Sequence, residues 1–320
     1  MKRVAGAILL GLGLFSLVLA PLVWFYVAPS VAKVKLNQKA VTVSEAENVT
    51  YLAVSAEKGA EIKTGQSIRA TRTVHGDVKS GNDDRVVFDV SVVIENSADD
   101  ALIRANLDRL AMDRRTSEAI KCCRENIDGK PVEHKGISYK FPFDTQKKTY
   151  AYFDTTAKTT FPMKFKGEDK IKGLDVYKFE QPITDQNIEE REVPGSLFGK
   201  TAPGNVKADL IYNNTRTVWV EPVTGSIVRG QEEQKQILRH EGEDTVVFEA
   251  LLAFNDKTVT DQVKTAEENK ASVTAITTTI PLVLLVAGVL FVIIGAILAR
   301  RPRHVGARRA EPRTREALDA

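Results

Sequence analysis

The sequence predicts a mainly β (α+β) protein, in which an external antiparallel β domain is flanked by N- and C-terminal transmembrane helices. Three observations predict this fold class. An uncharged apolar stretch lies near each end of the 320-residue chain. Between these stretches, runs rich in β-branched residues alternate with turns that contain Gly, Pro, Asn and Asp. Apolar residues make up 43% of the chain and charged residues 27%, as is typical of a globular core.

The first apolar stretch, residues 4–28, contains no charged residue and is long enough to cross a bilayer as a helix. Lys2 and Arg3 precede it, as basic residues precede the apolar run of a signal peptide. The run is longer than a signal peptide requires, and Pro21 directly follows the best small-residue cleavage site. We therefore interpret the stretch as an uncleaved anchor, with cleavage as the alternative.

The second apolar stretch, residues 280–298, follows a polar juxtamembrane helix predicted over residues 258–279. A basic tail, residues 299–320, comes next. Positive charge flanks the outer end of both apolar stretches, which predicts that residues 1–3 and the tail are cytoplasmic. The chain is then a two-pass protein of the plasma membrane, and residues 29–257 form an extracytoplasmic β-rich domain.

The formal net charge of +3 is unevenly distributed. The tail carries seven Arg against three acidic residues, and Lys2 and Arg3 add two further positive charges. Residues 4–298 are left with a net charge of −3. Because the folded body has no excess of basic residues, a nucleic-acid partner is not predicted.

The central region is organised around one strand–turn–strand motif, Val218–Val228. Pro222 suits the first central position of a type I turn, and Gly225 can adopt the left-handed conformation that returns the chain. Glu221 is predicted to cap the turn by accepting hydrogen bonds from backbone N–H groups, and Thr224 completes the turn sequence.

A looser copy of this motif occurs at residues 111–120, where Asp113 and Thr116 occupy the positions of the acidic residue and the threonine. Two copies of a strand, an acidic-x-x-Thr turn and a second strand suggest a duplicated β unit. The repeats would cover residues 34–135 and 136–257.

Residues 101–112 fit either a helix, with apolar residues at i, i+4 and i+7, or a strand, and the copied motif favours the strand. Loops are predicted over residues 126–149, with an extended piece at 137–141, and over residues 181–204. The other predicted strands are residues 67–74, 85–94, 150–153, 160–165, 174–179, 206–212, 215–221, 226–238 and 245–254.

Catalytic and cofactor-binding patterns are not found. The four His residues are scattered, and none lies at metal-ligand spacing from Cys or another His. No Gly-x-Ser-x-Gly motif occurs. Residues 195–201 resemble a phosphate-binding loop only superficially and are interpreted as an exposed loop. The sequence therefore predicts no enzyme, no cofactor and no metal site.

Cys122 and Cys123 are the only cysteines, and they are adjacent. A disulfide is chemically permitted outside the membrane. Neighbouring Cα atoms are about 3.8 Å apart, however, which is closer than in ordinary disulfides. We expect two labile unpaired thiols, and a strained vicinal disulfide is the alternative.

Several short motifs occur in a fixed order along the chain. They are Asp113–Thr116, Phe141–Asp144, Gly173–Phe179, Val193–Gly195 and Val218–Gly225. Framed by two anchors, the set resembles the actinobacterial PorA-family envelope proteins of unknown function. Ser117 departs from the family pattern, which more usually has Gly after the Asp-Arg-x-Thr turn.

A more distant resemblance concerns the fold. Gly173–Phe179, followed by the Val218–Gly225 motif, is similar to the strand pattern of LolA-type and LppX-type lipid carriers, which are incomplete β-barrels. The domain would then be two duplicated incomplete-barrel units. Together the resemblances imply an envelope protein that binds lipid or lipoglycan without catalysis. The alternative is a structural, sensor or partner-binding envelope protein with no small ligand. A porin is disfavoured, because porins carry no apolar helical anchors.

Overall fold

The computed structural model describes residues 2–55, 59–199 and 204–300. The chain divides into a helical unit, built from the two ends of the chain, and a sheet unit, Ala28–Ile276. The helices are α1 (Lys2–Leu22), α2 (Ala28–Val31), α3 (Asp256–Thr274) and α4 (Ile280–Ala299), with π-helical segments at Val23–Val27 and Ala275–Thr279. The remaining residues 301–320 of the predicted basic tail, and residues 200–201 of the loop-like stretch, lie outside the described residues.

The helical unit consists of α1 packed against α4. Most of its large apolar side chains are exposed, whereas its buried residues are small, chiefly glycine. Both helices are long and apolar enough to cross a membrane. Exposed Leu, Ile, Val and Phe around such helices suit lipid better than water.

The sheet unit is a half-barrel of twelve strands among the described residues, all paired with antiparallel neighbours. The strands are β1 (Lys39–Ser55), β2 (Gly59–Gly76), β3 (Arg85–Asn96), β4 (Leu102–Asp113), β5 (Asn126–Ile127), β6 (Lys130–Pro131), β7 (Tyr150–Asp154), β8 (Thr159–Ile171), β9 (Leu174–Pro194), β10 (Asn205–Glu221), β11 (Ser226–His240) and β12 (Glu243–Phe254).

The strands follow one another in the order β6-β5-β4-β3-β2-β1-β12-β11-β10-β9-β8-β7. Nearly every pair is therefore formed by strands that are consecutive in sequence. The exception is the central pair, in which β1 joins β12 and places Thr50 opposite Glu249. The first and second halves of the chain thus contribute the two halves of one continuous sheet.

Alternate residues of β10 show how one face of the sheet is built. Leu210 is buried among apolar side chains, and Val218 belongs to a second apolar cluster with Phe179. Between them on the same face lie Asn214 and Arg216, both buried. The inward face is therefore apolar at both ends of the strand and polar in the middle.

The opposite face of the sheet is covered in part by α3. Val259, Val263 and Ala266 of this helix are buried in a cluster with Trp219 of β10. The helix begins after Asn255, whose side-chain oxygen accepts a hydrogen bond from Thr258 N at 2.9 Å. Such a cap satisfies one of the free N–H groups of the first turn.

The predicted antiparallel β fold class is confirmed, and the helix alternative for residues 101–112 is wrong, because β4 pairs with β3 along its length. The predicted loop over residues 181–204 is wrong for residues 181–194, since β9 continues to Pro194 and pairs with β10. Beyond Glu180, β9 pairs only with β10 among the described strands, and such a locally open edge tolerates the proline at residue 182.

Two further strand predictions differ from the structure. The predicted strands at residues 206–212 and 215–221 form the single strand β10. The first strand, β1, was not predicted, and short strands β5 and β6 interrupt the loop predicted over residues 126–149. All of these are stabilised by pairing with distant or neighbouring strands that local patterns do not reveal.

Candidate functional site

A cleft of about 410 Å³ opens on one face of the sheet unit. Residues that lie opposite each other in adjacent antiparallel strands share a face, so strand pairing explains the lining. Arg72 of β2 pairs with Val92 of β3, which pairs with Asn106 of β4. In the other half of the sheet, Arg216 of β10 pairs with Glu232 of β11. The cleft is therefore built by both halves of the chain.

Arg216 is the centre of a buried network of charged and polar groups in this lining. Its Nη2 lies 2.9 Å from Asp154 Oδ2, and its Nε donates to Glu232 Oε1 at 3.0 Å. The remaining Nη1 donates to Gln181 Oε1 at 2.8 Å. Burial alone would raise the pKa of Glu232, but the charge and hydrogen bonds of Arg216 hold it at about 2. The network therefore stays ionised at neutral pH.

A second polar cluster joins Asp108 of β4 to the segment that follows β6. Asp108 Oδ1 lies 2.9 Å from His134 Nε2, and Asp108 Oδ2 accepts a hydrogen bond from the Tyr139 hydroxyl at 2.6 Å. On its other side, His134 Nδ1 lies 3.0 Å from Glu125 Oε2. Burial lowers the pKa of His134, but its hydrogen bonds and charge interactions with the two carboxylates outweigh burial and raise it. When it is protonated, the His134 ring can donate to both carboxylates, and in either state its contacts link the loop to the sheet.

Arg104 of β4 and Arg191 of β9 face each other across the cleft, although their strands lie far apart in the sheet. Arg191 forms an ion pair with Glu189, in which Nη2 lies 2.7 Å from Oε2. Within the described part of the chain, the side chain of Arg104 makes no hydrogen bond or ion pair. Although Arg104 is exposed over much of its surface, partial burial in the cleft and, next, the positive charge of Arg191 lower its pKa. The cleft thus holds an arginine whose side chain forms no ion pair, although the charges of Asp128 and Glu189 act on it.

The lining has an excess of positive charge. Its ionisable lysine, arginine and carboxylate side chains are Arg72, Arg104, Lys130, Lys158, Arg191, Arg216, Asp108, Asp128, Glu189 and Glu232, with a net charge of +2. Residues 4–298 as a whole carry −3. The cleft is therefore a local cationic region on an acidic body, and its lining mixes charged and polar side chains with apolar ones, unlike a groove that holds only an acyl chain.

The two predicted turn motifs share one hydrogen-bonding pattern. Asp113 Oδ1 accepts from the backbone N–H groups of Arg115 and Thr116, at 2.8 and 2.7 Å. The carboxylate of Glu221 accepts in the same way from Val223 N and Thr224 N, at 2.9 and 2.8 Å. The next residues, Ser117 and Gly225, have φ of 60° and 72°. Ser117 thus adopts the conformation that Gly adopts in the second turn.

A single segment, residues 141–145, bridges the two turns. Phe143 N donates to Arg115 O of the first turn at 3.1 Å. Phe141 N donates to Gly225 O of the second turn at 3.0 Å, and Thr145 N donates to Pro222 O at 2.7 Å. None of the six predicted turn residues (Asp113, Thr116, Glu221, Pro222, Thr224, Gly225) lines the cleft described above. Their contacts hold the structure together rather than contacting a ligand.

Cys122 and Cys123 form a vicinal disulfide, with Cα atoms 3.8 Å apart. The expectation of two unpaired thiols is therefore wrong. The argument from Cα spacing considered only ordinary backbone conformations, whereas Cys123 and Arg124 have φ of 63° and 59° in a tight turn. Cys123 Sγ lies 3.9 Å from Ser80 O, so the loop contacts the turn before β3.

The residues of the cleft were missed by sequence analysis, which searched for catalytic and metal-binding spacings. Within the described residues, no group of three or more His, Cys, Asp or Glu side chains is placed to hold a metal ion. The available signal was the polar pair Asn214 and Arg216 at inward positions of β10, between apolar residues of the same face. To use that signal, one must know which residues of β10 face inward, and strand pairing decides this.

Comparisons with known proteins agree with the sequence-based resemblance to the PorA family. A family model described as Porin PorA matches residues 5–297. A protein named Porin PorA from Corynebacterium amycolatum is 34% identical over 168 residues, covering 41% of this chain and 44% of that protein. A second, from Corynebacterium resistens, is 24% identical over 288 residues, covering 64% of this chain and 70% of that protein. The chain thus spans less than half the length of the first relative.

Proposed function

Because the chain belongs to the Porin PorA family, we propose that it is a membrane-anchored envelope protein whose sheet unit binds the polar part of a lipid or lipoglycan. Binding would occur in the cationic cleft and without catalysis. The cleft carries this proposal, since it combines a volume of about 410 Å³ with a lining that contains polar groups and a net charge of +2. Ligand sites in proteins commonly have volumes of about 300–1,000 Å³.

The two apolar terminal helices and the family relation indicate a membrane location. The finer arrangement that we propose has both helices crossing the plasma membrane, both termini in the cytoplasm and the sheet unit outside. Lys2 and Arg3 before α1, and Arg300 after α4, support this orientation through the positive-inside rule.

The polar lining changes the expected ligand group. A lipid carrier that holds acyl chains needs an apolar groove, whereas this cleft presents arginines, carboxylates, amides and hydroxyls. Such groups suit a headgroup or a saccharide, whose oxygen atoms can accept and donate hydrogen bonds. The acyl chains of a membrane lipid would then remain in the bilayer.

The absence of catalysis is also part of the proposal. His134 contacts the cleft lining through its bond to Asp108, and both of its ring nitrogens are engaged by carboxylates. A general base needs a free nitrogen within reach of substrate. This arrangement suits a structural link better than proton transfer.

A channel is the second candidate, because the relatives are named porins and the inward face of the sheet is polar, as pore linings are. Against it, neighbouring strands carry exposed or half-exposed ion pairs, such as Lys170 with Asp175 and Lys235 with Glu249. Strands that face lipid carry an apolar outer band instead. Single-channel conductance of the full-length protein in planar bilayers would favour this candidate.

Native mass spectrometry tests the binding proposal. The full-length protein would be extracted from its host membranes in a mild non-ionic detergent and released from micelles gently. We expect an adduct that yields headgroup or saccharide fragments on activation. If the protein appears without an adduct, and host lipid extract adds none, the binding proposal is overturned.

A further inference from the structure

We propose that the group seated in the cleft is a phosphate, held between Arg104 and Arg191 as part of a phosphorylated headgroup or glycan. This inference rests on the proposed binding function and specifies its ligand class. It is carried by three features of the cleft. They are the Arg104 side chain, which forms no ion pair, two buried donors without acceptors, and the net charge of the lining.

The first feature is the pair of facing arginines. Arg191 forms an ion pair with Glu189, whereas the Arg104 side chain forms no ion pair within the described residues and has Asp128 and Glu189 only as charged neighbours. Two guanidinium groups that approach each other repel, and this repulsion is relieved when an anion lies between them. Arginine side chains donate two parallel hydrogen bonds to one phosphate, so they recognise phosphate geometry better than a point charge does.

The second feature is a pair of buried donors that lack acceptors. Ser138 is 3% exposed and lines the cleft, and its Oγ makes no hydrogen bond to any described residue. Arg72 also lines the cleft, and its buried Nε has no acceptor there either. Buried donors without partners destabilise a fold, and a rotation of either side chain toward the cleft would bring its donor to a ligand rich in acceptor oxygens.

The third feature is the charge of the lining, which is +2. A phosphomonoester carries about −1.5 to −2 charges at neutral pH and would nearly neutralise it. A carboxylate would leave about half of the positive charge uncompensated. The cleft is larger than a phosphate group alone, so the sugar or glycerol that bears the ester can lie beside it.

The strand register identifies a matched control. Ala70 and Arg72 of β2 line the cleft, so Arg69 lies on the opposite face of the same strand. Arg69 pairs with Glu95 and Asp100, at 3.3 and 2.7 Å. Replacing Arg69 removes the same charge from the protein without changing the cleft.

Calorimetric titration of the full-length protein in a non-ionic detergent tests the inference. The probes are inorganic phosphate, glycerol 3-phosphate, and mixed micelles containing phosphatidylinositol 4-phosphate, which carries a phosphomonoester, or, for comparison, phosphatidylcholine. We expect the phosphate-bearing anionic probes to bind, and Arg104→Gln or Arg191→Gln to weaken binding by about tenfold or more, as the loss of a charge-assisted hydrogen bond predicts. Arg69→Gln should bind like the original protein, and Ser138→Ala should show a smaller loss.

The outcomes separate this inference from the proposed function. Binding that is equal in the original protein, Arg104→Gln and Arg191→Gln would overturn the phosphate site, provided that circular dichroism shows the variants folded. A neutral glycolipid found by native mass spectrometry, with no phosphate probe bound, would overturn the phosphate inference and leave the binding function standing. Phosphate binding that depends on Arg104, without any co-purified lipid or lipoglycan, would support the site and point to a soluble phosphate source.

Discussion

Gly225 illustrates how a single residue is constrained by both its conformation and its surroundings. Its φ is 72°, in the left-handed region that side chains other than glycine adopt at a cost. A Cβ atom at this position would lie 2.1 Å from Phe141 O and 2.4 Å from Pro142 O. The bridging segment therefore leaves no room for a side chain beside the turn.

Substitution of Gly225 should destabilise the sheet unit strongly for every side chain. From φ alone, Gly225→Asn would be milder than Gly225→Val, but the clash with Phe141 O affects both. We expect each variant to lower the free energy of unfolding by about 3–5 kcal/mol, from combined strain and overpacking. Gly242→Asn is the control, because Gly242 has φ of 86° and nothing within 4 Å of its Cβ position. If denaturant titration gives Gly225→Asn a free energy of unfolding as high as that of this control, the prediction is contradicted.

Lys140 shows a residue whose charge is opposed by its location. Its Nζ donates to Phe141 O at 2.8 Å and to Thr224 O at 2.6 Å, and it lies 3.9 Å from the centre of the Phe143 ring. Burial lowers the pKa of Lys140 to about 7, and the charge of Glu221 only partly opposes this effect. Lys140 thus links the bridging segment to the second turn, although its charge is partly desolvated there.

The pKa of Lys140 makes stability depend on pH in a defined direction. The pKa is about 7 in the folded protein and 10.5 for an ordinary lysine. Between these values the unfolded chain binds more protons, so the free energy of unfolding should rise with pH by up to about 1.4 kcal/mol per unit. Lys140→Met should lack this rise. The difference in unfolding free energy between the original protein and Lys140→Met isolates the effect of Lys140. The raised pKa of His134 has the opposite effect on stability, but it acts equally in both proteins. Parallel pH profiles of the unfolding free energy would rule the prediction out.

At the scale of elements, the pairing of α1 with α4 depends on four glycines. A Cβ atom on Gly13 would lie 2.8 Å from Gly288 O, and one on Gly295 would lie 2.8 Å from Gly6 O. The helices are therefore antiparallel and approach through backbone atoms. Small residues permit this close approach, which gives van der Waals packing in a lipid environment where the hydrophobic effect contributes little.

Cysteine crosslinking tests this arrangement in a background where Cys122 and Cys123 are replaced by Ser. The pairs 6/295 and 13/288 should crosslink on oxidation, whereas 6/288 and 13/295 should not. Seven residues correspond to about 10 Å along a helix, which is beyond the reach of a disulfide. The matched control is 11/288, since nothing lies within 4 Å of a Cβ atom on Gly11. Equal crosslinking of matched and mismatched pairs would show that the helices do not pair in this way.

At the scale of the whole molecule, one continuous sheet joins the two halves of the chain through β1 and β12. Arg104 and Arg191 meet across the cleft because the sheet curls, although they come from strands β4 and β9. The binding site that we propose therefore belongs to the complete half-barrel. The similar turns at Asp113 and Glu221 are consistent with the predicted repeats, which remain a prediction.

The two-pass topology that we propose predicts which positions face the outside of the cell. In the background without Cys122 and Cys123, Lys79→Cys, an exposed position before β3, should react with a membrane-impermeant maleimide on intact cells. Gly306→Cys, in the tail outside the described residues, should react only after permeabilisation. Labelling of residue 306 on intact cells would contradict the cytoplasmic position of the C-terminus.

Local chemistry in the sequence was sufficient for the apolar terminal helices, most strands and the capped turns. A bilayer-spanning helix needs only an uninterrupted apolar stretch, and the Glu221 and Asp113 turns satisfy their own backbone groups within four residues. Tertiary structure decided the rest. Residues 181–194 form a strand because β10 pairs with them, and Cys122 joins Cys123 because the turn permits it. The cleft required the curl of the whole sheet, since its charged residues are spread along the chain from Arg72 to Glu232 and no local pattern records which faces meet.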